Sequence, residues 1–315
     1  MNRVQHPDSA TMRKSLLAVA DPLPTPGGGQ TRARLAGLAA IAVQDLELAR
    51  LAEAHHDAHA IAAELDHCLV EGALYGVWAA SGPNPLTATA TASGLHLVGT
   101  LPWCSGIGIV DRALVTAGDS LIDVAVSDGE PGDAMMAWAS PAFAATGTGS
   151  IHFDVDVNRD AQVGESGSYL SRAGFWHGAI CVSACWAGGA LGLVDLHLAR
   201  WRRQEPHALA RLGSALAWAD ALTAILDRAA SEIDASPTNA VSAQRRARSV
   251  RHAVERICTQ IIDDLGVGAG PEPLAFDRDI VERTQQLQLY IRQCHGERDT
   301  EPIGRDALDH RVNRS

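Results

Sequence analysis

Apolar side chains return every three or four positions over residues 35–49. Leu35, Leu38, Ala39, Ala42, Leu46 and Ala49 share one face of a helix. Ile61, Ala62, Leu65 and Leu69 repeat the period and predict a second helix ending near Gly72. Upstream, Pro22, Pro24, Pro26 and the run Gly27, Gly28 and Gly29 break any period, so residues 1–30 read as a flexible arm. Between 73 and 165 the pattern changes to short alternating runs at 95–98, 113–116, 121–126 and 151–157. Gly94, Gly99, Asp119, Gly129 and Gly149 punctuate them, which predicts a small all-β barrel or sandwich. The helical period returns after Gly167, with long helices over 170–200, 207–234, 241–265 and 279–295. Pro237 and Asn239 mark one turn, and Pro271 and Pro273 open a loop. The expected fold is therefore α+β: an arm (1–30), a short helical domain (31–72), a β-barrel domain (73–165) and a C-terminal helical bundle (166–315).

Composition narrows the function classes. Of 315 residues, 46% are apolar and 20% charged, an ordinary globular balance. A formal net charge of −11 argues against nucleic acid and anionic membrane as partners. The six cysteines include no CxxC pair, so zinc is not expected, and reduced, mostly buried thiols imply a cytoplasmic protein. The apolar run 179–194 is broken by Ser183 and glycines and reads as a buried helix, not a membrane span. His55 and His59 stand four apart on one helix, but no third ligand accompanies them. They are expected on a solvated face, with no metal.

Four segments carry a more specific pattern: 74–78 (LYGVW), 94–106 (GLHLVGTLPWCSG), 143–149 (FAATGTG) with the strand 151–157, and 281–297 (VERTQQLQLYIRQCHGE). In this order they resemble the acyl-CoA dehydrogenase family of flavoproteins. The resemblance spans roughly residues 31–300. It implies a truncated N-terminal helical domain, a central small β-barrel and a C-terminal four-helix bundle, assembled as a homodimer or homotetramer around FAD. By the same resemblance, Tyr75, Val77 and Trp78 would follow the pyrimidine edge of the flavin. Trp103 would pack beside the isoalloxazine and Ser105 would bond near N5. Arg203 would approach the FAD tail, and Gly266 and Gly268 a neighbouring subunit's FAD. The catalytic glutamate of the family's closing Glu-Gly-Thr falls on His295, and Glu297 replaces the threonine. The implied activity is α,β-dehydrogenation of an acyl thioester, with proton abstraction, hydride transfer to flavin N5 and an electron-transfer flavoprotein as acceptor.

The departures from that pattern point elsewhere. Trp78 and Ala79 replace a Thr-Glu pair, residues 81–85 replace the CoA-binding loop, and Val267 replaces the second glycine of Gly-Gly-x-Gly. The missing CoA loop, together with the closing glutamate lost at His295, favours an alternative in the same superfamily, a flavin-dependent oxidase or monooxygenase fed by a reductase; a degenerate non-catalytic homologue is a further alternative. Read as chemistry, the imidazole of His295 is a side-chain type that suits a base or an acid. Its bland counterpart is a histidine at a helix end, and Glu297 and Asp299 are the next candidate bases. Trp103 and Ser105 could equally be a core aromatic and a turn hydroxyl. Arg200, Arg202 and Arg203 suit a pyrophosphate or a solvated helix end.

Overall fold

The computed structural model describes residues 9–80, 82–132 and 138–312. The chain divides into two compact units, one of residues 1–23 and 50–175, the other of residues 24–49 and 176–315.

The first unit carries the strands. Its helices are α1 (Ser9–Leu17), the larger part of α3 (Leu46–Glu64) and a short α4 (Ser168–Ser171). The strands are β1 (Tyr75–Trp78), β2 (Thr87–Ala90), β3 (Gly94–Cys104), β4 (Arg112–Ala117), β5 (Ser120–Ala125), β6 (Glu130–Pro131) and β7 (Gly149–Asn158). They form two sheets rather than one closed barrel. One has the order β1-β4-β5, with β1 and β4 parallel, and the other the antiparallel order β2-β3-β7-β6. Ala58 and Ile61 of α3 join Tyr75, Leu114, Leu121, Val163 and Tyr169 in one buried cluster. Burial of these faces is the main force holding α3 to the strands. Asp123 of β5 ties the cluster together. It accepts from Tyr75 Oη (3.0 Å) and Arg112 Nε (2.8 Å) and faces His67 Nε2 (3.3 Å). Burial pushes the Tyr75 phenol up to about 12.

The expected arm is partly helical. Met12 and Leu16 of α1 are buried, and the Arg13 guanidinium donates to Ile109 O (2.5 Å) and to Asp111 (3.0 Å). These partners lie almost a hundred residues away, out of reach of any local pattern.

The second unit is helical: α2 (Thr31–Gln44), most of α5 (Ala173–Arg200), α6 (Pro206–Ala235), α7 (Ala240–Ala269), α8 (Pro271–Phe276), α9 (Arg278–Tyr290) and α10 (Glu297–Val312). Local chemistry sets the ends. Pro206 opens α6, and the side chains of Asn239 and Asp277 cap α7 and α9 by accepting from Ser242 N (2.9 Å) and Ile280 N (3.2 Å). Proline at 271 starts α8, where a loop was expected, because its fixed φ suits a first helical turn. The last long helix also stops short of residue 295, at Tyr290.

Residues 31–72 are not a separate helical domain, since α2 groups with the C-terminal helices. Gly188 and Gly192 of α5 explain why. A Cβ at 188 would come within 2.3 Å of Ala39 O, and one at 192 within 2.6 Å of Val43 O. The α2 backbone thus lies directly on the glycine face of α5. Arg283 of α9 completes the contact by donating to the last carbonyls of α2, Ala42 O (2.8 Å), Val43 O (3.0 Å) and Gln44 O (2.9 Å).

By length and composition α5 and α6 are each long and apolar enough to cross a bilayer. The apolar window of α5 is 72% buried in the protein, that of α6 only 11%. Leu209, Leu216 and Trp218 stand exposed on α6.

Candidate functional site

In the first unit the site is built around an irregularity in β3. Its pairing with β7 shifts register between Leu101 and Cys104. An extra residue in one strand leaves a position unpaired and re-aims its side chain. Pro102 and Trp103 lie in this shift, and Trp103 is held at φ +61, a left-handed conformation uncommon for a bulky side chain. The indole is 56% exposed and meets Trp138 edge-on at 6.2 Å, while Trp138 Nε1 donates to Ala142 O (2.7 Å). A strained, outward aromatic is costly unless it does something.

Immediately after it lies a row of hydroxyls. Ser105 Oγ is 2.9 Å from Thr148 Oγ1, which is 2.7 Å from Thr146 Oγ1, which donates to Phe143 O (2.7 Å). A carbonyl can only accept, so that last bond sets the direction of the rest. Thr148 donates to Thr146, and Ser105 donates to Thr148. Ser105 Oγ is left with acceptor capacity only. Gly147 makes the close approach possible. It takes φ +59, and a Cβ there would sit 2.5 Å from Ile107 O.

The structure joins three of the sequence-derived residues here: Trp78 Nε1 donates to Ser105 O (3.0 Å), behind Trp103. Trp78 is itself buried, so it supports the turn from beneath. Tyr75 is fully buried, and its hydroxyl is engaged with Val70 N (2.9 Å) as well as Asp123, a structural role. Val77 is half-buried and packs against the cluster under α3. His55 is buried, against the expected solvated face. The reason is that His55 is tied on both nitrogens. Nδ1 accepts from Tyr75 N (3.1 Å), which leaves Nε2–H to donate to Ala20 O (3.1 Å). Burial, and then His59, lowers its pKa to about 4. Thr146 and Thr148 lie in the family-like segment 143–149, to which the sequence alone gave no individual roles.

In the second unit His295 lies between α9 and α10, one residue before Gly296 at φ +55. Its side chain is 58% exposed. Asp299, more enclosed, steadies it from one turn on. The His295 backbone N–H donates to Asp299 Oδ2 (3.1 Å), and Nδ1 lies 3.7 Å from Oδ1, an ion-pair contact rather than a hydrogen bond. Nε2 is therefore the nitrogen turned away from Asp299. Glu297 is exposed in the first turn of α10.

The basic loop is largely self-paired. Arg200 bonds Asp277 (2.7 Å) and Asp279 (2.5 Å), and Arg203 donates to Gly268 O (3.2 Å). Gly268 is buried against Arg211 and Trp201, where a Cβ would meet either at 2.8 Å. Gly266 lines a separate cleft between helices. An outward indole with a hydroxyl acceptor beside it suits a flat heteroaromatic ring bearing N–H groups, and flavin answers that description. The arginines offer less to a diphosphate.

No family model matches the chain, and no curated protein matches it in sequence. Solved structures do match. The dibenzothiophene monooxygenase TdsC from Paenibacillus sp. A11-2 superposes with a TM-score of 0.79 at 17% identity, covering 96% of this chain and 90% of that one. The HsaA monooxygenase from M. tuberculosis gives 0.71 at 16% identity, covering 95% of each chain. PigA, solved as an FAD complex, gives 0.75 at 15%, covering 95% of this chain and 89% of its own. TdsC has also been solved with FMN and indole. This chain has the acyl-CoA dehydrogenase-like α+β fold. At such identities the fold is what the two sides share.

Proposed function

We propose that the protein is a flavin-dependent monooxygenase acting on a small organic molecule, rather than a dehydrogenase of acyl thioesters. The observation that carries this reading is the direction of the hydroxyl row. Ser105 presents an acceptor, which suits the N–H of a reduced flavin better than the bare N5 of an oxidised one. The shared fold with oxygen-using enzymes and the absence of the CoA-binding loop at 81–85 support it. Reduced FMN or FAD, delivered by a separate reductase, supplies the electrons that activate oxygen. Trp103 would hold the ring by stacking, and Ser105 would accept a hydrogen bond from it. His295, steadied by Asp299, gives or takes a proton at Nε2. The exposed Leu209, Leu216 and Trp218 of α6 suit a homodimer or homotetramer contact, and exposed Asp220, on the same side as Leu209 and Leu216, disfavours lipid.

Anaerobic mixing of the flavin-loaded protein with acyl-CoAs separates the two activities. The proposal expects no bleaching by any of them, and incorporation of labelled oxygen into product once reduced flavin and a substrate such as indole are supplied. Bleaching by an acyl-CoA would restore the dehydrogenase reading. Trp103→Gly supplies a second check. Glycine accepts the left-handed backbone without strain, so the melting temperature should change little, while loss of ring stacking weakens flavin binding about tenfold.

A further inference from the structure

The backbone of residues 143–149 is shaped to anchor one hydroxyl. Phe143 takes φ 60 and ψ 18, and Gly147 takes φ 59 and ψ 34, so left-handed residues stand on both sides of the turn Ala144–Thr146. Glycine adopts that conformation freely, but for phenylalanine it is an outlier, and such strain persists only where the surroundings impose it. Two backbone bonds fasten the turn to the residues after Ser105. Gly106 N donates to Thr146 O (2.7 Å), and Ile107 N donates to Gly147 O (3.3 Å). Within the turn, the Phe143 carbonyl accepts from both Thr146 N (3.2 Å) and Thr146 Oγ1 (2.7 Å). Thr146 is fully buried.

The single hydroxyl proton of Thr146 is therefore committed to a carbonyl, a partner that can never donate. The contacts Thr146–Thr148 (2.7 Å) and Thr148–Ser105 (2.9 Å) each need one proton between their two oxygens. If Thr148 instead turned its proton to Ser105, the oxygens of Thr146 and Thr148 would face each other with none between them. The anchor lies two hydroxyls away from Ser105, yet it decides whether Ser105 has a proton to offer. A hydroxyl without such an anchor rotates to donate or accept as its partner requires.

We infer that Thr146 is a positioning residue that sets the redox preference of the site. Anchored on Phe143 O and acting through Thr148, it withholds the Ser105 proton from a bare ring nitrogen and leaves Ser105 a fixed acceptor for an N–H. The inference rests on the flavin reading above and deepens it by naming the residue that tunes the bound cofactor. Thr146→Val keeps the branched shape in the buried turn and removes the anchor. Thr148 is then free to donate to Ser105, and Ser105 is free to donate in turn. The oxidised form regains a hydrogen bond that the wild-type chain denies it.

Anaerobic titration of the whole chain with oxidised and with reduced FMN tests it. The readout is the ratio of the two dissociation constants, which a uniform loosening of the fold leaves unchanged. The wild-type chain should favour the reduced form. Thr146→Val should lower that preference about fivefold to tenfold, and a tenfold loss makes the midpoint potential of the bound flavin about 30 mV more negative. Thr146→Ser, which keeps the hydroxyl, should retain the wild-type ratio. Thr148→Val cuts the row one bond nearer to Ser105 and should shift the ratio in the same direction, which keeps the test open if valine at 146 prevents folding. In a Ser105→Ala background neither substitution should move the ratio further, because both act through Ser105. A ratio indifferent to the loss of either threonine hydroxyl, a shift of equal size in Thr146→Ser, or a further shift in the Ser105→Ala background would each overturn the inference and leave flavin binding standing. Failure of the wild-type chain to bind FMN or FAD in either redox state would overturn the flavin reading, and this inference with it.

Discussion

His295→Gln is expected to leave flavin binding intact and to lower product formation by about two to four orders of magnitude, the usual cost of losing a positioned proton-transfer group. Glutamine keeps the size and some hydrogen bonding but cannot titrate near neutrality. The expectation rests on the Asp299 contact, which turns Nε2 outward from the start of α10. Asp299→Asn should therefore produce a smaller fall of the same kind, since it loosens the ring without removing it. His295→Glu separates the chemistries. A carboxylate would serve proton abstraction from a thioester, so a dehydrogenase would keep measurable turnover. In a monooxygenase it would repel the negative charge that develops on reduced oxygen, and turnover should fall. Rates measured in single turnover, with flavin affinity determined separately, distinguish these outcomes. Unchanged turnover in both variants would remove His295 from the site and leave Glu297 as the nearest replacement.

The second large effect concerns stability in acid. His55 is buried and neutral, with a pKa lowered from 6.5 to about 4 by burial and by His59, against the help of the Ala20 carbonyl. A depressed histidine favours the fold while it stays neutral. The contribution is complete above the unfolded value of 6.5 and is lost as pH falls toward 4. Moving a pKa that far corresponds to about 3 kcal/mol. His197 in the helical unit adds a loss over the same window, its pKa also near 4. Urea midpoints measured from pH 7.5 down to pH 4 should fall steadily below about pH 6.5. His55→Asn should flatten that fall while lowering stability at neutral pH, because the Tyr75 amide and the Ala20 carbonyl lose a partner set to their geometry. An unchanged pH slope in the variant would contradict the account.

The order of elements was largely legible, because periods of 3.6 and 2 report directly on which faces are buried. The helices over 173–200 and 206–235 and the strands at 112–117 and 120–125 followed from that alone. What escaped depends on contacts distant in sequence. Arg13 meets Asp111, Arg283 caps α2, and Gly188 admits the α2 backbone. None leaves a local trace, so α1 and the division between α2 and α3 were not foreseen. His55 read as a surface residue because burial of a histidine is visible only once both nitrogens have partners. In the candidate site, Trp103 and Ser105 were recognisable by position in a motif. The bulge that turns the indole outward and the hydroxyl row that makes Ser105 an acceptor required the fold.

Equilibrium titration of the purified chain with reduced FMN and reduced FAD under anaerobic conditions, followed by tryptophan fluorescence, tests the central claim most directly. The account predicts saturable binding of reduced flavin at one site per chain, tighter than that of the oxidised form, and about tenfold weaker in Trp103→Gly. Failure of either flavin to bind in either redox state, or oxidised flavin binding more tightly than reduced, would contradict it.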